Sequence, residues 1–233
     1  MNQLTPCTPP PKKYQPKGLT ILHEDKDILV IDKPSGLLTV GSDRNKSRTA
    51  HYLLNDYVRK GNPKSRHRVY VVHRLDQATS GLLLFAKSEA AKTFLQDNWE
   101  QTEKHYLAIV HGQMTKSQGM ITTYLTENKA NNVYSTADAN TGKLAKTAYT
   151  VIKEKKGFSL VDIHLLTGRK HQIRVHFAES GHPVVGDQKY GDELRSSKRL
   201  MLHSKALTFT HPFSKKRMAF VSATPEDFVR IIA

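Results

Sequence analysis

The chain has 233 residues, enough for one large domain or one domain with a small appendage, and its 38% hydrophobic content argues against wholesale disorder. Thirty-six lysines and arginines against 21 acidic residues give a formal charge of +15, which favours a polyanionic partner because neutralising phosphates releases condensed counterions. Cys7 is the single cysteine, which excludes an intramolecular disulfide and a thiolate zinc cluster, and no apolar run approaches the roughly 18 residues a membrane span needs. Residues 1–18 are polar and proline-rich rather than signal-like, so no membrane partner and a reducing, cytoplasmic location are expected.

Taken in chain order, Pro6, Pro9, Pro10, Pro11 and Pro16 around Lys12 and Lys13 read as a flexible basic arm over residues 1–18. Structure is expected from Leu19 to the end. Residues 19–23 and 28–33 form a hairpin across the charged turn Glu24 to Asp27, and Lys33-Pro34-Ser35-Gly36 ends its second strand. Residues 47–60 repeat Leu53, Leu54, Tyr57 and Val58 at helical spacing, with Gly61 to close the end. Val69 to Val72 and Leu82 to Ala86 read as strands. Ser88 caps a helix to about Gln101 whose Ala91, Phe94 and Leu95 face inward.

Beyond Lys104 the pattern is mostly β, with strands at 105–111, 119–125, 145–153 and 157–166. A helix over roughly 169–180 stops at Gly181. Strands near 200–203, 205–210 and 217–221 follow, and a last helix begins with Thr224 as N-cap, Pro225 at its first position and acids in its first turn. Runs of consecutive strands favour an α+β class: a largely antiparallel mixed sheet flanked by helices, rather than a doubly wound sheet.

Two segments can carry chemistry. His73-Arg74-Leu75-Asp76, followed by Thr79-Ser80-Gly81, places an acid and two basic residues in a loop between apolar strands. On the residues alone, Asp76 is a nucleophile, a general base, or a turn-capping aspartate bonded to nearby amides. Gly168-Arg169-Lys170-His171-Gln172-Ile173-Arg174 sits at a strand-to-helix turn. Backbone amides there, with Arg169, Lys170 and Arg174, would suit an anion; a solvated basic helix is the plain alternative. His171 and Arg174, three apart, share a face, while Ile173 and Phe177 face the core. His171 and His176 are five apart, not the four that would set two metal ligands on one helical face, and no phosphate-cradling glycine loop is present. No metal and no nucleotide cofactor are therefore expected. Tyr106, in the alternating run Lys104 to Val110, means little by itself.

Taken together, the segments resemble the RluA-type pseudouridine synthases from Leu19 to about Ala223. The motifs are Asp32 to Leu37, His73 to Asp76 with Thr79-Ser80-Gly81, Lys104 to Ala108, Gly168 to His176, His182 to Asp187 with Tyr190-Gly191, and Leu200 to Ser204. The resemblance implies one catalytic domain over residues 19–233 that isomerises uridine to pseudouridine in ribosomal RNA or tRNA, without a cofactor. Carried over by position, Asp76 is the nucleophile, Tyr106 lies at the target uracil and Arg174 pairs with Asp76. Arg74, His73, Arg169, Lys170 and His171 contact RNA, and Leu202 lies against the base. An arginine within about 4–6 Å keeps a carboxylate ionised, and its fork can bond both oxygens. Many relatives carry a small RNA-binding module before this domain. The N-terminal stretch is too short for one, so affinity for an RNA stem-loop is expected from the domain's own basic surface, and a monomer is expected. A catalytically silent RNA-binding protein and a base-excising glycosidase are the rival readings.

Overall fold

The computed structural model describes Thr5 and residues 9–41, 47–62, 64–191 and 197–233. Most of the first eight residues of the expected arm, Cys7 among them, lie outside the described residues. The chain divides into two compact units, residues 1–102 with 206–222, and residues 103–205 with 223–233.

In the first unit β1 (Thr20–Glu24) pairs antiparallel with β2 (Ile28–Lys33), which pairs antiparallel with β4 (Ser80–Ala86). The two-residue strand β3 (Tyr70–Val71) joins the end of β4. Every residue of β4 is buried, which explains why Leu82 to Ala86 is continuously apolar rather than alternating. Helix α1 (Ala50–Arg59) starts at Thr49, whose hydroxyl accepts the Tyr52 amide at 3.1 Å. Helix α2 (Glu89–Asp97) starts at Ser88, which accepts the Ala91 amide as expected. Ala91 and Leu95 pack with Val72, Leu82 and Leu84, and with Leu207, Phe209 and Phe220. The last three come from the hairpin of β10 (Leu202–Thr210) and β11 (Arg217–Val221); the last five residues of β10 belong to this unit. Thr5 is tied to this hairpin, its amide donating to the Ala219 carbonyl at 2.9 Å.

The second unit is an antiparallel sheet in the order β5 (Glu103–His111), β9 (Phe158–Leu165), β8 (Lys143–Lys155), β6 (Gln118–Glu127), β7 (Val133–Thr136). Helix α3 (Gln172–Glu179) packs on β6, β7 and β8, and α4 (Glu226–Ile232) on β8 and β9. Leu107, Ile109, Val185, Met201, Phe228 and Ile232 form one core cluster, and Leu125, Val133, Ala145 and Val175 another.

The α+β class, with mostly antiparallel strands and, among the described residues, four α-helices, is the one expected. Several details differ. The strands expected at 200–203 and 205–210 are one, because no residue between Leu202 and Thr210 interrupts an extended backbone. The helix expected to Gln101 ends at Asp97, and a 3-10 turn over Trp99–Gln101 follows. The short strand β7 was not anticipated. Helix α4 takes Pro225 rather than Thr224 as its cap.

Candidate active site

Asp76 lies in the first unit, half-buried, in the loop between β3 and β4. This loop is fixed from the segment that follows β2. The Thr39 hydroxyl donates to the Leu75 carbonyl at 2.9 Å and accepts the Leu75 amide at 3.2 Å. Ser35 Oγ donates to Ala78 O at 2.7 Å, the Gly36 amide to Gln77 O at 2.8 Å, and Gln77 Nε2 back to Gly36 O at 3.0 Å. Lys33 is completely buried, and its Nζ donates to the carbonyls of Pro34, Leu37 and Gln77 at 3.1, 2.8 and 3.1 Å. Three carbonyl dipoles directed at one ammonium replace part of the hydration that burial removes. The Thr79 amide closes the turn on the main-chain oxygen of Asp76 at 3.1 Å.

His73 and Arg74 diverge from there. His73 Nε2 accepts the Leu84 amide at 3.1 Å and its ring stacks on Trp99 at 4.4 Å, so the imidazole ties the loop to β4 and to the turn after α2. Arg74 is exposed.

The other expected residues lie in the second unit. Tyr106 is buried on β5 opposite Ile163, and Leu202 is buried at the start of β10. Arg174 projects from α3 and meets Asp187 edge-on: Nε donates to Oδ2 at 2.7 Å and Nη2 to Oδ1 at 2.8 Å, with Arg174 at 9% and Asp187 at 4% exposure. Burial alone would raise the Asp187 carboxyl. The hydrogen bonds and charge of Arg174, with the amides of Lys189 and Tyr190, hold it below the usual carboxylate range instead. The guanidinium carbon lies 5.0 Å from the Tyr190 ring centroid, and Tyr190 Oη is 2.7 Å from His171 Nδ1. His171 and Arg174 thus share a partner, as their spacing of three suggested.

Helix α3 begins at Gln172, not near residue 169, because His171 adopts a left-handed backbone (φ 53°). The expected anion site of free amides is not formed at Arg169: its amide donates to Gln172 Oε1 at 3.0 Å. Gln172 Nε2 holds Lys146 O and Thr147 Oγ1. The Arg169 side chain donates to Leu144 O, and Lys170 pairs with Glu127. Nor is α3 a solvated basic helix, since residues 172–177 are all buried.

Sequence reasoning gave no role to Thr39, Lys33, Asp187 or Tyr190. The spacing Gly186-Asp187-x-x-Tyr190-Gly191 did carry a signal, an aspartate capping the amides that follow it, and the Asp187 carboxylate accepts the Lys189 and Tyr190 amides at 2.9 and 3.1 Å. Asp25, Asp27 and His211 are near enough to share an ion, but Asp25 already accepts two amides on one oxygen and two imidazoles on the other.

The first unit thus holds a half-buried carboxylate on a hydrogen-bonded loop, the second an arginine fixed by a buried acid, and the chain's charge of +15 suits a polyanionic partner. Residues 27–179 match the model of the RNA pseudouridylate synthase family. An uncharacterized RNA pseudouridine synthase of Mycobacterium bovis is 34% identical over 95% of this chain and 75% of its own. The dual-specificity RNA pseudouridine synthase RluA of Salmonella typhi is 35% identical over 92% and 96%. The human RNA pseudouridylate synthase domain containing 4 superposes with a TM-score of 0.75 at 24% identity over 90% of each chain, a likeness of fold. The chain belongs to the RNA pseudouridylate synthase family. It is an isomerase that converts uridine in RNA to pseudouridine.

Proposed function

We propose that Asp76 is the nucleophile of this isomerisation, with Tyr106 at the target uracil and Arg174 as the cation that keeps the Asp76 carboxylate charged. The observation that carries the reading is the lock on the Asp76 loop, where Lys33, Ser35 and Thr39 each bond the main chain between Leu75 and Ala78. A nucleophile must be held near its attack position, and such pre-organisation contributes several kcal/mol to a rate. Asp187 bonds Nε and Nη2 of Arg174, and a guanidinium carries five N–H donors, more than one carboxylate uses.

In the reaction the N1–C1′ bond of uridine breaks and a C5–C1′ bond forms. The hydrogen on C5 leaves as a proton and N1 gains one, so mass is unchanged and no oxidant, metal or nucleotide is consumed. The carboxylate adds either to C6 of the ring or to C1′. Either route requires the base out of its stack, at a cost of a few kcal/mol that RNA contacts offset. Arg74, Arg169, Lys170 and His171 supply such contacts, His73 stands behind the nucleophile's loop, and Leu202 lies against the base. The substrate is a stem-loop of ribosomal RNA or tRNA in the cytoplasm, and the enzyme acts as a monomer. The dual-specificity name of the Salmonella relative supports more than one RNA target.

The test is D76N. Pseudouridine formation should disappear while RNA affinity stays within about threefold. Mapping pseudouridines in ribosomal RNA and tRNA from cells with and without the gene then names the site. Undiminished isomerisation by D76N would sink the assignment.

A further inference from the structure

Residues 213–217, at the tip of the β10–β11 hairpin, are all exposed, and Phe213 is 81% exposed, more than any other large hydrophobic side chain described. It stands beside Lys215, Lys216 and Arg217. The tip is nonetheless rigidly built. His211 is buried, and its Nδ1 accepts the amides of Phe213 and Ser214 at 3.2 and 3.1 Å, which leaves Nε2 to donate to Asp25 at 3.1 Å. The His211 carbonyl accepts the Lys215 amide, and its own amide donates to Lys216 O. Lys215 takes a left-handed backbone (φ 57°), donates from Nζ to Pro212 O and lies 3.5 Å from the centre of the Phe94 ring.

An aromatic ring held away from the core on a fixed backbone, among three cations, matches one chemistry well. Every base has a π face that stacks on an aromatic ring, and the phosphates on either side of that base need cations. Little ordering entropy remains to be lost when such a ring binds, because the turn is already set. We propose that the β10–β11 tip is an accessory RNA contact, in which Phe213 stacks on an unpaired base flanking the modified region and Lys216 meets an adjacent phosphate, supported by the positive charge of Lys215 and Arg217, whose side chains also bond Pro212 O and Gln101 O. This rests on the chain's action on RNA, and it adds a selectivity for single-stranded segments that charge alone does not give.

The test uses the full chain and two labelled probes, an unstructured 20-nucleotide RNA of A and C only and a 20-base-pair RNA duplex. F213A should weaken binding of the single strand by about 5- to 100-fold and leave the duplex within twofold. F213W should keep the affinity, and its added indole fluorescence should be quenched by the single strand alone. K216E should weaken both. Because Phe213 is exposed, F213A should melt at the wild-type temperature. If F213A binds both RNAs like wild type, the hairpin proposal fails alone; wild-type protein that binds neither RNA overturns the underlying reading as well. Loss of self-association in F213A with RNA binding unchanged would assign the ring to protein contact and overturn the proposal.

Discussion

Replacing Thr39 tests whether hydrogen bonds or packing hold the loop that carries Asp76. Thr39 is 2% exposed, and its single hydroxyl satisfies both the amide and the carbonyl of buried Leu75. In T39V the volume is kept and both bonds are lost, leaving a donor and an acceptor without that partner at roughly 1–3 kcal/mol each. A loop can shift to admit water, so a net loss of about 2–3 kcal/mol is expected. T39S keeps the hydroxyl and removes one buried methyl, at a cost of about 1 kcal/mol. Urea unfolding of the two variants separates the terms: with a slope of about 2–3 kcal/mol/M, T39V should lower the midpoint by about 1 M and T39S by less than half of that. Single-turnover isomerisation should follow the same order, because a displacement of about 1 Å at a nucleophile can cost about a hundredfold in rate. A T39S variant less stable than T39V would refute the reasoning and make the methyl, not the hydroxyl, the support of the loop.

Further outcomes are expected in the second unit. D187N removes the charge that the buried guanidinium of Arg174 faces, so thermal and urea stability should fall by about 3 kcal/mol, with kcat falling more than KM rises; an unchanged midpoint would refute this. G186A should fold poorly or lose more than ~3 kcal/mol, since a Cβ there would lie 2.0 Å from the Arg199 carbonyl on a backbone with φ +76°; a wild-type melting temperature would contradict it. His176, held between the Thr123 and Thr147 hydroxyls, and His203 are both pushed down to about 4 by burial. The unfolded chain then binds these protons first, near the ordinary histidine value of 6.5, so stability present above pH 6.5 is lost as pH falls toward 4, by at most about 3 kcal/mol per histidine. His105 has the opposite sign, because Asp162 raises it, but its side chain is about one-third exposed and offsets little. Urea midpoints at pH 4.5 and 7.5 check the sign; equal midpoints would exclude it.

Much of this was legible because local rules and tertiary context agreed. The β1–β2 hairpin, β4, the Ser88 cap and β11 stand where alternation, apolar runs and turn residues place them. Where they failed, a long-range partner decided. The start of α3 is set by the left-handed backbone of His171, next to Gln172, whose side chain bonds the Arg169 amide and the β8 backbone, and neither residue gives a hint of that in sequence. The strand β7 carries a pattern too short to read, and its partner β6 supplies the register. For the proposed site, ordered motifs single out Asp76, Tyr106 and Arg174, whereas Thr39 and Asp187 bond residues 36 and 13 positions away. No periodicity reports on such a pair.

The two anchored residues are held by different physics, and the difference suits their proposed tasks. The Asp76 loop is braced by the hydroxyls of Ser35 and Thr39 and the ammonium of Lys33, all donating to main-chain oxygens. Arg174, by contrast, is fixed by a carboxylate whose two oxygens set the plane of its guanidinium. Lysine in its place would carry the charge but not the fork, and Asp187 could then define a position without an orientation. Salt screens exposed charges within about 10 Å at 0.1 M but reaches buried pairs weakly. The Arg174–Asp187 pair and the brace of the Asp76 loop should therefore each keep their geometry over the salt range in which the proposed phosphate contacts of the exposed Arg74, Lys170 and Lys216 weaken.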